Sequence, residues 1–202
     1  MKTLSFTFFI ALICSIGYAQ KTKPDSLKQA LKIATTDSAR NNIYVELLSY
    51  YNEVNRDSAL FYAEKRLSLA KQNNYKTAEA TTLTAKGYQY ANMGSYAASY
   101  QNLLLALRIA EDPNNEEKNG WRLTQFPIKG KERLNILAGI HFNLGMLMRN
   151  TENTKQEIFH EKESLKIGSQ INHKERQMLA NMFLAYTYSK NNQLDSAFYF
   201  AQ

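Results

Sequence analysis

Apolar residues recur along this chain at steps of three and four, the period of an amphipathic helix, and the pattern is cleanest from Thr81 to Glu111. That stretch, TTLTAKGYQYANMGSYAASYQNLLLALRIAE, divides into two segments hinged at Met93-Gly94-Ser95. Leu83, Gly87 and Tyr90 share one face of the first segment; Tyr96, Ser99, Leu103, Ala106 and Ala110 share one face of the second. Small residues at Gly87, Ser99 and Ala106 let two antiparallel helices approach closely, and Leu83, Tyr90, Leu103 and Leu107 fill the seam around them. Such a hairpin cannot bury its apolar face alone, so further copies are expected.

The copies are present. Asp57-Ser58-Ala59-Leu60-Phe61-Tyr62-Ala63 returns as Asp195-Ser196-Ala197-Phe198-Tyr199-Phe200-Ala201. Aligned on the small residue of the second helix, Ala59, Ser99, Glu157 and Ala197 are 40, 58 and 40 residues apart. The first helices keep the same steps through Leu47, Gly87, Gly145 and Ala185, and again through Tyr50, Tyr90, Met148 and Tyr188. Glu157 and Glu161 match the template poorly, so the third copy rests on Asn143-Leu144-Gly145 and Ser164-Leu165-Lys166-Ile167.

This arrangement of small and large residues resembles the tetratricopeptide repeat (TPR), a helix-turn-helix unit that stacks into a solenoid. The family places a large residue, Gly and Tyr on the first helix, then Ala, a large residue and Ala on the second. Leu83, Gly87, Tyr90, Ser99, Leu103 and Ala106 stand there, with Leu and Ser departing from the commonest choices at the first and fourth. The expected fold is an all-α, right-handed solenoid of stacked antiparallel helix hairpins. Its expected organisation is a signal peptide at 1–19, a capping helix at 20–36, units at 37–74 and 75–111, an insert at 112–130, a degenerate unit at 131–171 and a truncated unit at 172–202. Thr36-Asp37-Ser38 and Asn55-Arg56-Asp57 supply the capping chemistry that opens the two helices of the first unit.

The insert, DPNNEEKNGWRLTQFPIKG, holds two of the three prolines and the single tryptophan, and it cannot continue a helix. One reading is a loop whose Trp121 and Phe126 tuck onto the solenoid; the other is a protrusion that meets a partner. At the amino end, Lys2, the apolar run Leu4–Ile16 and Gly17-Tyr18-Ala19 before Gln20 have the form of a secretory signal peptide cleaved after Ala19. The only cysteine, Cys14, lies inside that segment behind a bulky Ile13, which disfavours a lipoprotein signal. A mature chain without cysteine, exported across the inner membrane to a periplasmic or extracytoplasmic position, is expected. The last repeat stops about five residues into its second helix, so the protein is expected to continue beyond Gln202.

The formal charge of +7 falls to +6 with loss of Lys2, but Lys and Arg are scattered among Asp and Glu, so nucleic acid is not an expected partner. Catalytic constellations are absent: there is no phosphate loop, nucleophile elbow or HExxH, and His141, His160 and His173 share no helical face. Glu161 and Glu163 diverge on a helix and make no acid-base pair. No enzyme activity, metal or cofactor is expected.

Binding is better supported. In this register the concave face carries Tyr44, Leu48, Tyr51 and Asn52, then Thr84, Tyr88, Ala91 and Asn92, then Phe142, Met146, Arg149 and Asn150, then Met182, Tyr186, Ser189 and Lys190. From these, Tyr44, Tyr51, Asn52, Tyr88, Asn92, Phe142, Arg149, Asn150 and Tyr186 are the candidate contacts for a protein or peptide. Resemblance to peptide-binding TPR members implies that Asn52, Asn92 and Asn150 clasp a peptide backbone. The plainer alternative is that each asparagine ends its helix in a left-handed turn.

The whole arrangement also resembles the N-terminal extracytoplasmic part of TPR-containing sensor histidine kinases and regulators of Bacteroidetes-type bacteria. The shared features are a signal peptide ending in Ala-Gln, a DSL-type helix, a Thr-Asp-Ser cap and repeats with a DSAxxYA motif. The resemblance implies a ligand- or partner-sensing part of a signal-transduction protein, attached to a membrane only through a transmembrane helix beyond Gln202. A free-standing periplasmic adaptor is the alternative. A carbohydrate-binding lipoprotein and an all-α enzyme are weaker readings.

Overall fold

The computed structural model describes residues 23–116, 121, 123 and 131–202. The leader with Cys14, and Phe126 within the insert, lie outside the described residues. Among those described the chain is helical, with α1 (Lys23–Ile33), α2 (Asp37–Tyr51), α3 (Arg56–Gln72), α4 (Lys76–Asn92), α5 (Tyr96–Glu111), α6 (Glu132–Asn150), α7 (Thr154–Gln170), α8 (Lys174–Lys190) and α9 (Leu194–Ala201). Helix α1 lies on α2, and from there each helix packs on the one before it, while α4 also lies beside α6. The result is the all-α TPR-like solenoid, four hairpins behind a leading helix.

The caps have simple chemistry. Thr36 Oγ1 accepts the Ala39 N–H at 3.2 Å and Asn55 Oδ1 accepts the Ser58 N–H at 2.8 Å, satisfying amides that no helix turn can reach. Five helices end alike: the residue after a left-handed position donates its N–H back over the last turn, as Tyr75 to Ala70, Ser95 to Tyr90, Asn153 to Met148, His173 to Gly168 and Gln193 to Tyr188. The left-handed residues are Asn74, Gly94, Glu152, Asn172 and Asn192. This corrects the turn-residue reading of Asn52, Asn92 and Asn150. Asn52 follows α2 in right-handed helical geometry, and Asn92 and Asn150 are the last helical residues, two before the left-handed Gly94 and Glu152.

Inside the second hairpin the small-large pairing is tight. A Cβ on Gly87 would lie 2.6 Å from Leu103 Cγ, and Ser99 Oγ donates to the Gly87 carbonyl at 2.8 Å. One core runs from Leu67 and Ala78 through Leu83, Leu103 and Ala106 to Ile136, Ile140 and Leu144, binding successive hairpins together. After α5 a 3-10 turn spans Pro113–Asn115. The insert then returns to the hairpins before it: Trp121, 9% exposed, lies 4.2 Å from the Tyr75 ring, and Arg66 Nη2 donates to the Leu123 carbonyl at 2.9 Å. Arg66 is itself buried and also holds Asn41 Oδ1 at 3.0 Å, so the strap reaches α2 and α3. Among the described residues no helix is long and apolar enough to cross a membrane.

Candidate functional site

Because the hairpins stack side by side, their first helices share one surface, and a groove of about 530 Å³ opens there. Helix α4 contributes Thr81, Thr84, Ala85 and Tyr88; α6 contributes Ile136, Gly139, Phe142 and Asn143. Asn52, just past α2, and Arg176 of α8 complete the lining. The α4 residues recur at i, i+3, i+4 and i+7, so a single helix face looks into the groove.

The polar groups there have largely committed their hydrogens. Thr81 Oγ1 donates to the Thr77 carbonyl and Thr84 Oγ1 to the Ala80 carbonyl, each at 2.8 Å. Asn143 Nδ2 donates to the Gly139 carbonyl at 2.8 Å, and the Tyr88 hydroxyl donates to Glu53 Oε1 at 2.7 Å. What remains on the threonine and tyrosine oxygens is acceptor capacity, while Asn143 Nδ2 has a second hydrogen that this bond does not use. Arg176 is the exception: Nε donates to Asn135 Oδ1 at 2.6 Å, while Nη1 and Nη2 lie over Gly139, 3.2 and 2.9 Å from where a Cβ would stand. Burial brings its pKa down to about 10, which still leaves a cation at neutral pH. Burial also raises the Tyr88 hydroxyl, helped by Glu53.

Of the candidate contacts, Asn52, Tyr88 and Phe142 line this groove. The Asn52 amide is already engaged: Oδ1 and the backbone carbonyl accept from Gln89 Nε2 at 2.8 and 3.0 Å, and Nδ2 donates to Glu53 at 2.6 Å. It thereby joins α2 to α4. Asn92 is exposed and hydrogen-bonded to the Tyr88 hydroxyl; Asn150 is exposed at the end of α6. Tyr51 stacks on Tyr62 at 5.7 Å with Lys28 of α1 over its face, and Tyr44 lies 6.4 Å from the same ring, so both sit in the α1–α2–α3 seam. Arg149 and Tyr186 line a separate cavity of about 340 Å³ with Glu157, Thr187 and Lys190. The sequence reading left out Thr81, Ala85, Ile136, Gly139, Asn143 and Arg176. One or two turns before Tyr88 and Phe142 lie the first four, and Asn143 directly follows Phe142, whereas no periodic signal marks Arg176.

That second cavity borders a buried ionic cluster. Glu161 takes the place that Leu103 holds one hairpin earlier: its Oε1 lies 2.7 Å from where a Gly145 Cβ would be. Arg149 Nε donates to Glu157 Oε1 at 2.6 Å and its Nη2 reaches Glu161 Oε1 at 3.4 Å, while Thr187 Oγ1 donates to Glu157 at 2.5 Å. Glu161 Oε2 has no partner, and burial pushes the carboxyl up to about 8 against the pull of Arg149. The two glutamates that match the repeat poorly are therefore inside the seam.

Two of the histidines lie in the same seam. His141 and His160 share no helix, yet their Nδ1 atoms meet at 3.0 Å across the α6–α7 seam. Both are buried; burial lowers both, and repulsion from His141 helps bring His160 to about 4. One ring donates and the other accepts, so the accepting imidazole is neutral, and burial favours the neutral form of both. Among the described residues no three His, Cys, Asp or Glu side chains gather as a metal site would need.

Residues 18–108 match the family described as the SusR N-terminal TPR domain. Over that stretch the chain resembles the TPR domain of SusR-type regulators of Bacteroidetes, and the hairpins beyond it continue the same TPR-like fold. No curated protein matches it. The SusR-like stretch runs from before α1 into the last turn of α5, and so contains the α2 and α4 side of the groove; the α6 and α8 side lies beyond it. TPR domains in general mediate protein–protein interactions.

Proposed function

We propose that this chain is an exported TPR scaffold, the ligand- or partner-sensing part of a bacterial signal-transduction protein, and that it holds its partner in the groove between α4 and α6. The observation that carries this reading is the SusR-like match over the helices that form one side of that groove. A regulator's TPR domain is useful because a partner that prefers one arrangement of the hairpins shifts the balance between two signalling states. Export rests on the charged, apolar and small-residue order of residues 1–19. The chain acts through binding rather than catalysis, and the described groove offers no nucleophile paired with a base.

The test is a photo-crosslinking amino acid placed at Thr84 in the native cell, with Lys162 on α7 as control. The expected result is a discrete adduct from position 84 alone, on a protein recovered from the extracytoplasmic fraction and starting at Gln20. Equal adducts from both positions, or none from position 84, would sink the proposal.

A further inference from the structure

We infer that His141 and His160 form a two-coordinate site for a soft monovalent metal ion, copper(I), held between their Nδ1 atoms in the α6–α7 seam. The site lies where α6 meets α7 and is independent of what the groove holds.

Four observations support it. First, the two nitrogens are aimed at one another. They lie 3.0 Å apart while the ring centroids lie 5.3 Å apart, a difference of two ring radii, so both Nδ1 atoms stand on the line of centres. An ion that takes two imidazoles end to end, with bonds of about 2 Å each, fits that line once the rings part by about 1 Å. Second, the number of ligands suits such an ion. Among the described residues no group of three His, Cys, Asp or Glu side chains is assembled, and zinc takes three or four protein ligands. Third, the site has an approach. His160 forms part of the wall of a cavity of about 400 Å³ bounded by α5, α6 and α7, and Met148 lines the same cavity. Met148 follows His141 by two turns of α6, and its thioether is a soft donor of the kind that selects copper(I). Fourth, the electrostatics suit a bound cation. Burial favours the neutral form of both rings, which is the form that binds a metal, and Glu163 biases both towards positive charge, opposed by Lys166 at His141. On binding, the donating ring gives up its Nδ1 hydrogen and takes a proton on Nε2. Both imidazoles thus remain neutral, and the complex carries the single charge of the ion.

The test uses the full chain with Cys14→Ser, so that no thiol competes, and copper(I) kept reduced under argon in competition with a chromogenic chelator. One equivalent per chain should bind, and zinc offered at the same concentration should not displace it. His160→Asn, whose amide still reaches for a hydrogen bond with His141, should weaken the affinity by about a hundredfold or more, the upper end of what loss of a merely supporting partner costs. A tight equivalent that survives this substitution would sit on methionine thioethers and overturn the inference. If His160→Asn does not fold, nitrogen-15 spectra of the imidazoles in the chain with all three histidines decide. Copper(I) should convert His141 and His160 to the Nε2–H form with Nδ1 bound and leave His173 unchanged. Copper(I) surrendered wholly to the chelator, or histidine spectra that it does not alter, would equally overturn the inference.

Discussion

Replacing Glu161 by glutamine tests how the third hairpin is held. In the folded chain this carboxyl is 0% exposed, its Oε2 is unpartnered, and burial raises it to about 8. In the unfolded chain it titrates near the ordinary value of about 4.3. A carboxyl raised on folding binds its proton more tightly in the native state, so it favours folding most below about pH 4.3. That contribution is lost as pH rises through the folded value near 8. Each unit of difference is about 1.4 kcal/mol. Allowing for the ion pair that Arg149 forms with an ionised Glu161, the loss between pH 5 and 9 should be about 2–4 kcal/mol. Glu161→Gln keeps the shape and removes the titration. Its melting temperature should match the parent's at pH 5 and exceed it by about 5–15 °C at pH 9, using 2–4 °C per kcal/mol for a chain of this size. Glu161→Leu, the Leu103 arrangement, leaves Arg149 paired with Glu157 and should be more stable than the parent at both pH values. Thermal unfolding followed by circular dichroism supplies the numbers. A glutamine-minus-parent difference that stays flat from pH 5 to 9 would refute the reasoning.

Two further outcomes follow from the described contacts. The His141–His160 pair is held neutral, so the unfolded chain takes up protons first, and stability falls with pH from about 6.5 towards the folded His160 value near 4; combining His141→Leu with His160→Asn should flatten that acid limb in the same melting series. Trp121→Ala removes a buried ring from Tyr75 and the core and should cost about 3 kcal/mol, read as a lower urea midpoint at constant slope.

What the sequence revealed depended on repetition. Where the units agree, at Leu47, Gly87 and Ser99, periodicity led directly to buried seam positions. Helix starts were legible because Thr36 and Asn55 carry their own capping oxygens. The hidden features are long-range. His141 and His160 are 19 residues apart and meet because a hairpin folds them together; Arg66 and Leu123 are 57 apart and meet because the insert turns back. Tyr51 belongs to the predicted concave register, but α1 supplies Lys28 and α3 supplies Tyr62 to cover it, and a register alone cannot show that cover. The asparagines misled for a local reason: the left-handed residue lies two positions after Asn92 and Asn150, where one unit has Gly and the other Glu.

The groove and the polar seam share one helix. On one face α6 presents Phe142 and Asn143 to the groove; on another it presents Gly145 and Arg149 to the carboxylates of α7. In the second hairpin the corresponding seam is Leu103 against Gly87, a contact that contributes by burial at any pH. In the third it is a carboxyl that loses stability as pH rises beside a histidine pair that loses it as pH falls. The α6–α7 seam is therefore squeezed from both sides, and its best pH lies between the two titrations. Arg149 lies 4.1 Å over the Phe183 ring, and Phe183 lies 5.3 Å from Phe142. Contacts thus run unbroken from the buried carboxylates to a groove side chain. Position for position, the groove wall built on α6 rests on a pH-dependent seam where the wall built on α4 rests on an apolar one.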